Sequence, residues 1–154
     1  MADWRIVEGG LDDPRVIALV ELHRAGATAT LPPQANHAAA LDGLKAPPIR
    51  FFVAWAGDEP LATGAIKRFD AAQGEVKSMF TAPAARGQGA GSGMLAHLFA
   101  AARADGLTRL SLATHPFAYF APAIALYRRH GFTECPPFAD YTVDPASLYM
   151  TREL

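Results

Sequence analysis

The chain has 154 residues, of which 51% are hydrophobic and 19% charged, enough apolar material for one compact core and too much for a disordered segment. Lys and Arg (14) do not exceed Asp and Glu (15), and the net charge of -1 excludes the broad basic field of a general nucleic-acid binder. A balanced total still leaves room for a local cationic pocket.

The single cysteine, Cys135, has no partner for an internal disulfide, which points to a reducing compartment. The opening MADWRIVEGG lacks the basic stretch and apolar run of a signal peptide. Apolar stretches are broken by Arg, Asp, Gly or Pro well before the roughly 18 residues a membrane span needs. The expectation is one cytoplasmic domain over residues 1–154, with neither nucleic acid nor membrane as partner.

In chain order, Trp4 to Glu8 reads as a short strand ended by Gly9-Gly10. Asp13 and Pro14 open a helix whose apolar positions, Val16 to Leu22, carry it to about Arg24. Gly26 to Pro48 is rich in Ala, Thr and Pro, with a short helix predicted around His37 to Leu44. Strands follow at Ile49–Trp55, Leu61–Phe69 and Glu75–Thr81, joined by tight turns into an antiparallel meander. A Pro/Gly-rich loop from Ala82 to Gly89 then opens a helix to about Arg103, with Met94, Leu95, Leu98, Phe99 and Ala102 as its buried stripe. Gly106 ends it, Thr108–Thr114 alternates as a strand, and a helix from about Ala121 to His130 stops at Gly131. Two short strands around a Pro/Asp-rich loop complete a mixed α/β domain. The C-terminal strands are candidates for pairing with a second copy into a homodimer.

The segment Thr81 to Gly93 is the most informative. A strand enters it and an amphipathic helix leaves it. Its glycines put no Cβ between the backbone N–H groups and an anion, and the helix dipole favours negative charge there. Arg86 adds a cation. The ligand is not read by a P-loop, since no Gly-Lys-Ser/Thr occurs. A dinucleotide fingerprint also fails, because Ser92 occupies the third glycine position and the preceding strands form a meander.

Arg86, Gly89 and Gly91 satisfy a Q/R-x-x-G-x-G/A signature, and Ala123 to Phe132 matches A-x-x-L-Y-x-x-x-G-F. On these motifs, in order over roughly residues 49–135, the sequence resembles the GNAT N-acetyltransferase superfamily. The tail from Pro137 to Tyr141 with Asp144-Pro145 is similar to that of a small, mostly uncharacterised bacterial subgroup, some of whose members carry an auxin-acetyltransferase label. The resemblance implies a mostly antiparallel sheet flanked by helices, with a splayed parallel strand pair holding acetyl-CoA as acetyl donor. It implies pairing of Met79, Phe80 and Thr81 with the pantetheine arm. The loop Arg86, Gly87, Gln88, Gly89, Ala90, Gly91 and Ser92 would bind the pyrophosphate. An amide near Met79 or Phe80 would donate to the acyl oxygen as negative charge builds on it.

Acetyl transfer needs a neutral amine, yet an alkyl amine has a pKa near 10, so a base is required. Glu75, 11 positions before Arg86, resembles the catalytic glutamate of several members, with a strand-start carboxylate paired to Lys77 as the alternative. A bulge in this strand would change where the two side chains point. Tyr127 falls where the family has the general acid that protonates the departing thiolate. Phe120 stands where an asparagine is frequent. His37, Trp55, His115, Phe117 and Tyr141 are candidates to line an acceptor pocket, each with a packing alternative. His130 is expected to serve the end of its helix. Histidine and cysteine spacings match no metal motif, so no metal is expected.

The implied activity is direct transfer of acetyl from acetyl-CoA to a primary amine, of a small molecule rather than a protein N-terminus or lysine, in a ternary complex. The alternative from another class is a non-catalytic CoA-binding sensor or scaffold.

Overall fold

The structure, a computed structural model, describes residues 4–31, 41–46 and 49–154. The predicted helix around His37 falls partly outside them, and His37 lies outside entirely. Strand β1 is Arg5–Glu8, β2 Ile49–Ala56, β3 Glu59–Arg68, β4 Gln73–Thr81, β5 Arg109–Thr114, β6 Thr133–Glu134 and β7 Leu148–Glu153. The helices are α1 Pro14–Thr30, α2 Leu41–Lys45, α3 Ala90–Ala104 and α4 Ala121–Arg129. The strands form one sheet in the order β1-β2-β3-β4-β5-β7-β6. Each neighbouring pair is antiparallel except β4 with β5. The expected mixed α/β architecture with one parallel pair is the architecture observed.

Alternation along the strands sorts side chains to two cores. Phe52, Ile66, Leu110, Leu112 and Met150 face α3 and α4, where Met94, Leu95 and Leu98 are fully buried. Phe51, Val53, Trp55 and Ala65 face the other way, against Val16 and Val20 of α1 and Leu44 of α2. Burying one such aliphatic side chain contributes about 1.5–3 kcal/mol, so the two clusters hold the helices to the sheet without help from surface ion pairs.

Helix α1 starts as the sequence indicates, with Asp13 accepting from the Arg15 backbone N–H (2.9 Å) and Pro14 in the first turn. It does not stop near Arg24; it runs to Thr30, whose hydroxyl donates back to the Gly26 carbonyl (2.8 Å). Gly26 is a point of close approach, since a Cβ there would collide with the Tyr119 hydroxyl. The added residues include the buried Ala27, one turn beyond His23.

The start of α3 has a similar logic. Gly89 is its N-cap at φ 85°, a left-handed conformation that a side chain disfavours. One turn later Gly93 is glycine for space, because its Cβ position is filled by the Trp4 indole. Strand β4 carries a bulge: Ala65 pairs with Lys77 but Thr63 pairs with Phe80, and Ser78 at the bulge has φ 54°. The Thr63 hydroxyl donates to the Ser78 carbonyl (2.6 Å) and secures it. Glu75 and Lys77 precede the bulge and stay on the α1 face. Met79 is thereby turned toward Met94 of α3, and Phe80 toward His23 of α1.

Two stability predictions follow from this packing. Gly93→Ala is expected to destabilise by about 1–3 kcal/mol by overpacking, although alanine is the better helix former. In a Trp4→Ala background the same change becomes neutral or stabilising, which a double-mutant cycle of urea midpoints checks. Burial holds the His23 imidazole down at about 4, whereas the unfolded chain protonates it near 6.5. The unfolded state thus binds the extra proton, and stability from this group falls as pH drops from about 6.5 to 4. His23→Gln should lose roughly 2 kcal/mol less than wild type over that window in urea titrations.

Candidate functional site

Strands β4 and β5 stay in register for three pairs only, Gln73 with Arg109, Gly74 with Leu110 and Glu75 with Ser111. Beyond Glu75 both strands continue without pairing to each other, β4 to Thr81 and β5 to Thr114. Their facing backbone groups line a wedge. Around it gather the buried polar residues of the described chain: Thr63 on β3, Glu75 on β4, Ser111 and Thr114 on β5, and His115 just after it. Elsewhere the core is apolar. A buried polar group costs free energy unless it is hydrogen-bonded, and Thr63, Glu75, Ser111 and His115 each have a partner.

A cleft of about 350 Å³ runs through the wedge from one face of the sheet to the other. On the α1 face its walls include His23, Ala27, Glu75, Lys77, Tyr119 and Phe120. On the opposite face they include Met79, Thr81, Arg86, Gly87, Gly89 to Ser92, Leu126, Tyr127 and Arg129. The protein therefore presents two chambers joined at β4.

The second chamber ends at the glycine loop. Gly87 and Gly89 both have positive φ and nothing within 4 Å of where a Cβ would be. No side chain caps the amides of the first α3 turn. Those donors and the positive helix end stay available to an anion. The exposed Arg86 reaches back toward the Thr81 carbonyl (3.4 Å), with its guanidinium 5.8 Å from the Phe80 ring centre. Gln88 turns away, donating to Ala84 (3.3 Å), and contributes no cleft wall. The Ser92 hydroxyl is engaged with His130 Nε2 (3.0 Å), so His130 ties the end of α4 to the start of α3, beyond serving its own helix.

Tyr127 is 7% exposed, edge-on to Phe132 at 5.8 Å, and borders the wedge. Burial pushes its phenol above the ordinary tyrosine value, so it stays protonated at neutral pH. Glu75 is 5% exposed, and its Oε2 accepts from the Tyr141 hydroxyl (2.6 Å) and from Lys77 Nζ (3.3 Å). The expected Lys77 pairing and a position on the cleft wall thus occur together.

The acceptor-pocket candidates separate in space. His115 borders the cleft and its Nδ1 meets the Ala146 carbonyl (2.6 Å), which makes Nδ1 the protonated nitrogen. Burial lowers its pKa. Tyr141 reaches the site through Glu75. Trp55 packs in the α1 core under the Arg15 guanidinium (4.8 Å) and forms no wall of the cleft. Phe117 is 39% exposed and also lies outside the walls. Phe120, at the frequent asparagine position, packs its ring 4.8 Å from His115 and borders the cleft. His23 and Tyr119 were not evident from sequence. One sits in an unremarkable helix and the other in a loop, and the Gly26–Tyr119 contact that joins them spans 93 residues.

Comparison with known proteins agrees with this geometry. A family model described as "Acetyltransferase (GNAT) family" matches residues 16–132. The uncharacterized N-acetyltransferase YsnE of Bacillus subtilis is 42% identical over 140 residues, covering 91% of this chain and 93% of its own length. The uncharacterized N-acetyltransferase YedL of Escherichia coli is 40% identical over 144 residues, covering 94% and 91%. A solved structure from Klebsiella pneumoniae, assigned to the acyl-CoA N-acyltransferases, superposes with a TM-score of 0.80 at 30% identity over 100% of this chain and 99% of that one. The protein is an acyltransferase, and its chain belongs to the GNAT acetyltransferase family.

Proposed function

We propose that the protein transfers acetyl from acetyl-CoA to the primary amine of a small molecule, directly and in a ternary complex. The observation that carries this reading is the two-chambered cleft: an anion-ready loop closes one chamber, a buried carboxylate borders the other, and the splay of β4 from β5 joins them. Its residues fit CoA. Uncapped amides of the first α3 turn, with Arg86, would hold the pyrophosphate. Backbone groups of Met79, Phe80 and Thr81, unpaired on the β5 side, would hold the pantetheine amides. Bound acetyl-CoA would supply an activated thioester.

This chain's residues supply the rest. Glu75, directly or through a water, takes the proton that an incoming ammonium must lose. An amide at Met79 or Phe80 donates to the acyl oxygen where charge develops, and the low polarity around Met79 and Leu126 strengthens that bond. Tyr127 gives its phenolic proton to the departing sulfur. Burial raises the pKa of that phenol, so it stays protonated at neutral pH and its O–H is present as a donor beside the sulfur. His23 is neutral near pH 7, so it does not repel an ammonium entering past α1. The Tyr119–Gly26 contact narrows this chamber, which suits a small amine better than a polypeptide.

Glu75→Gln is expected to lower kcat by about 10²–10³-fold and to flatten the acidic limb of the pH–rate profile. Tyr127→Phe should lower kcat by about 10²-fold with little change in the KM for acetyl-CoA. Thiol-release assays across pH 6–9 with amines, amino acids, polyamines and peptides check both. CoA at 100 times its Kd should stabilise the fold by about 2.7 kcal/mol. If that stabilisation appears and no acceptor ever releases thiol, the protein is a CoA sensor and the transfer reading falls.

A further inference from the structure

We propose that Tyr141 is a positioning residue for Glu75, holding Oε2 so that Oε1 is the oxygen presented to the acceptor. This rests on the reading of Glu75 as the base. The geometry is specific to one oxygen. Tyr141 Oη and Lys77 Nζ both donate to Oε2, at 2.6 and 3.3 Å, while neither bonds Oε1. The carboxylate borders the cleft, and none of its atoms is both buried and unsatisfied. A carboxylate fixed by two donors on one oxygen has little freedom to rotate, and the other oxygen keeps its lone pairs for a proton.

The loop between β6 and β7 is built to deliver that hydroxyl. Tyr141 sits 66 residues from Glu75 in sequence and is packed by the rings of Phe138 (5.1 Å) and Tyr149 (5.5 Å). Phe138 in turn stacks on Phe69, just after β3 (5.6 Å). The backbone turns here through Ala139 at φ 50°, a left-handed conformation that alanine disfavours, and Tyr141 N closes the turn on the Phe138 carbonyl (3.0 Å). Five residues further on the same loop uses Ala146 to hold His115. Strain of this kind persists where surrounding contacts enforce it, and here those contacts end at the Glu75 carboxylate. Burial and the adjacent Glu75 charge raise the Tyr141 phenol above its ordinary value, which keeps it a donor throughout the working pH range.

The other groups facing Glu75 do not duplicate this contact. Lys67 opposes it on β3 but is exposed. Arg109 on β5 is directed to Thr151 and Glu153 of β7. Ser111 shares a hydrogen bond with Thr151 (2.9 Å), Tyr149 donates to the Thr142 carbonyl (2.8 Å), and His23 on α1 stacks against Phe80.

The test is Tyr141→Phe, which keeps the ring and removes the donor. Glu75 is titrated by ¹³C NMR of its side-chain carboxyl, assigned through Glu75→Gln, and thiol release is followed in parallel with tyramine and spermidine as probes. A hydrogen bond to the charged form lowers a carboxyl pKa, so its loss should raise that of Glu75 by about one unit. For any probe that turns over, the acidic limb of kcat/KM should move up equally and kcat should fall about tenfold, with thermal stabilisation by CoA unchanged. An unshifted Glu75 titration overturns the proposal, whether or not the variant is less stable. If Glu75→Gln keeps wild-type turnover, both the base assignment and the positioning of it are wrong. If Glu75→Gln is inactive while Tyr141→Phe matches wild type, only the positioning falls.

Discussion

Everything at the site depends on β4 and β5 running parallel for three residue pairs and then parting. A sheet normally satisfies each strand's backbone through its neighbours, and an open edge in the interior carries a penalty for every unpaired group. Here the penalty is tolerated because β4 remains paired to β3 and β5 to β7, so each diverging strand has one satisfied side. The other side of each faces the cleft. On the proposed reading a pantetheine arm, which itself carries amides, would pair there.

The divergence is reinforced from both faces. The left-handed Ser78 and its bond from Thr63 turn β4 after Lys77. That turn moves Met79 into the α3 core and Phe80 against α1, so reversing it would expose a thioether on one side and bury an unmatched ring on the other. Meanwhile Leu112 of β5 stays in the α3 and α4 core, so the strand cannot follow β4 across. Packing on both faces of the sheet holds the two strands apart, and a cleft held open by packing limits the ordering entropy of binding.

Much of this was legible locally. The strand–loop–helix order around Arg86 to Ser92 and the run from Leu126 to Phe132 are short-range patterns, and both landed where the backbone could use them. Short-range signals failed where a distant contact decides the outcome. The Ala/Thr/Pro-rich composition from Gly26 onward hides the last turns of α1, which runs to Thr30, and the room that Gly26 leaves is filled by Tyr119, far along the chain. Trp55 is an aromatic at a strand end in both the sequence and the structure, but the period-2 pattern alone does not say that its face belongs to α1 and not to the wedge. The pairing of Glu75 with Lys77 follows from i, i+2 spacing on one strand face. The stronger bond, from Tyr141, has no local trace at all.

The two ends of the site are governed by different physics. At the glycine loop the positive field comes from uncapped backbone amides and one exposed arginine, so a chain with net charge -1 can still offer a site to an anion. A few aligned dipoles need no excess of lysine. On the proposed reading the acceptor end poses a different problem, because a carboxylate held by donors has to stay open to an ammonium. Tyr141 and Lys77 both donate to Glu75 Oε2, and one of the two is neutral, so a single cation stands against the carboxylate. Two cations in the same places would hold the carboxylate as firmly but would repel the ammonium that has to approach it.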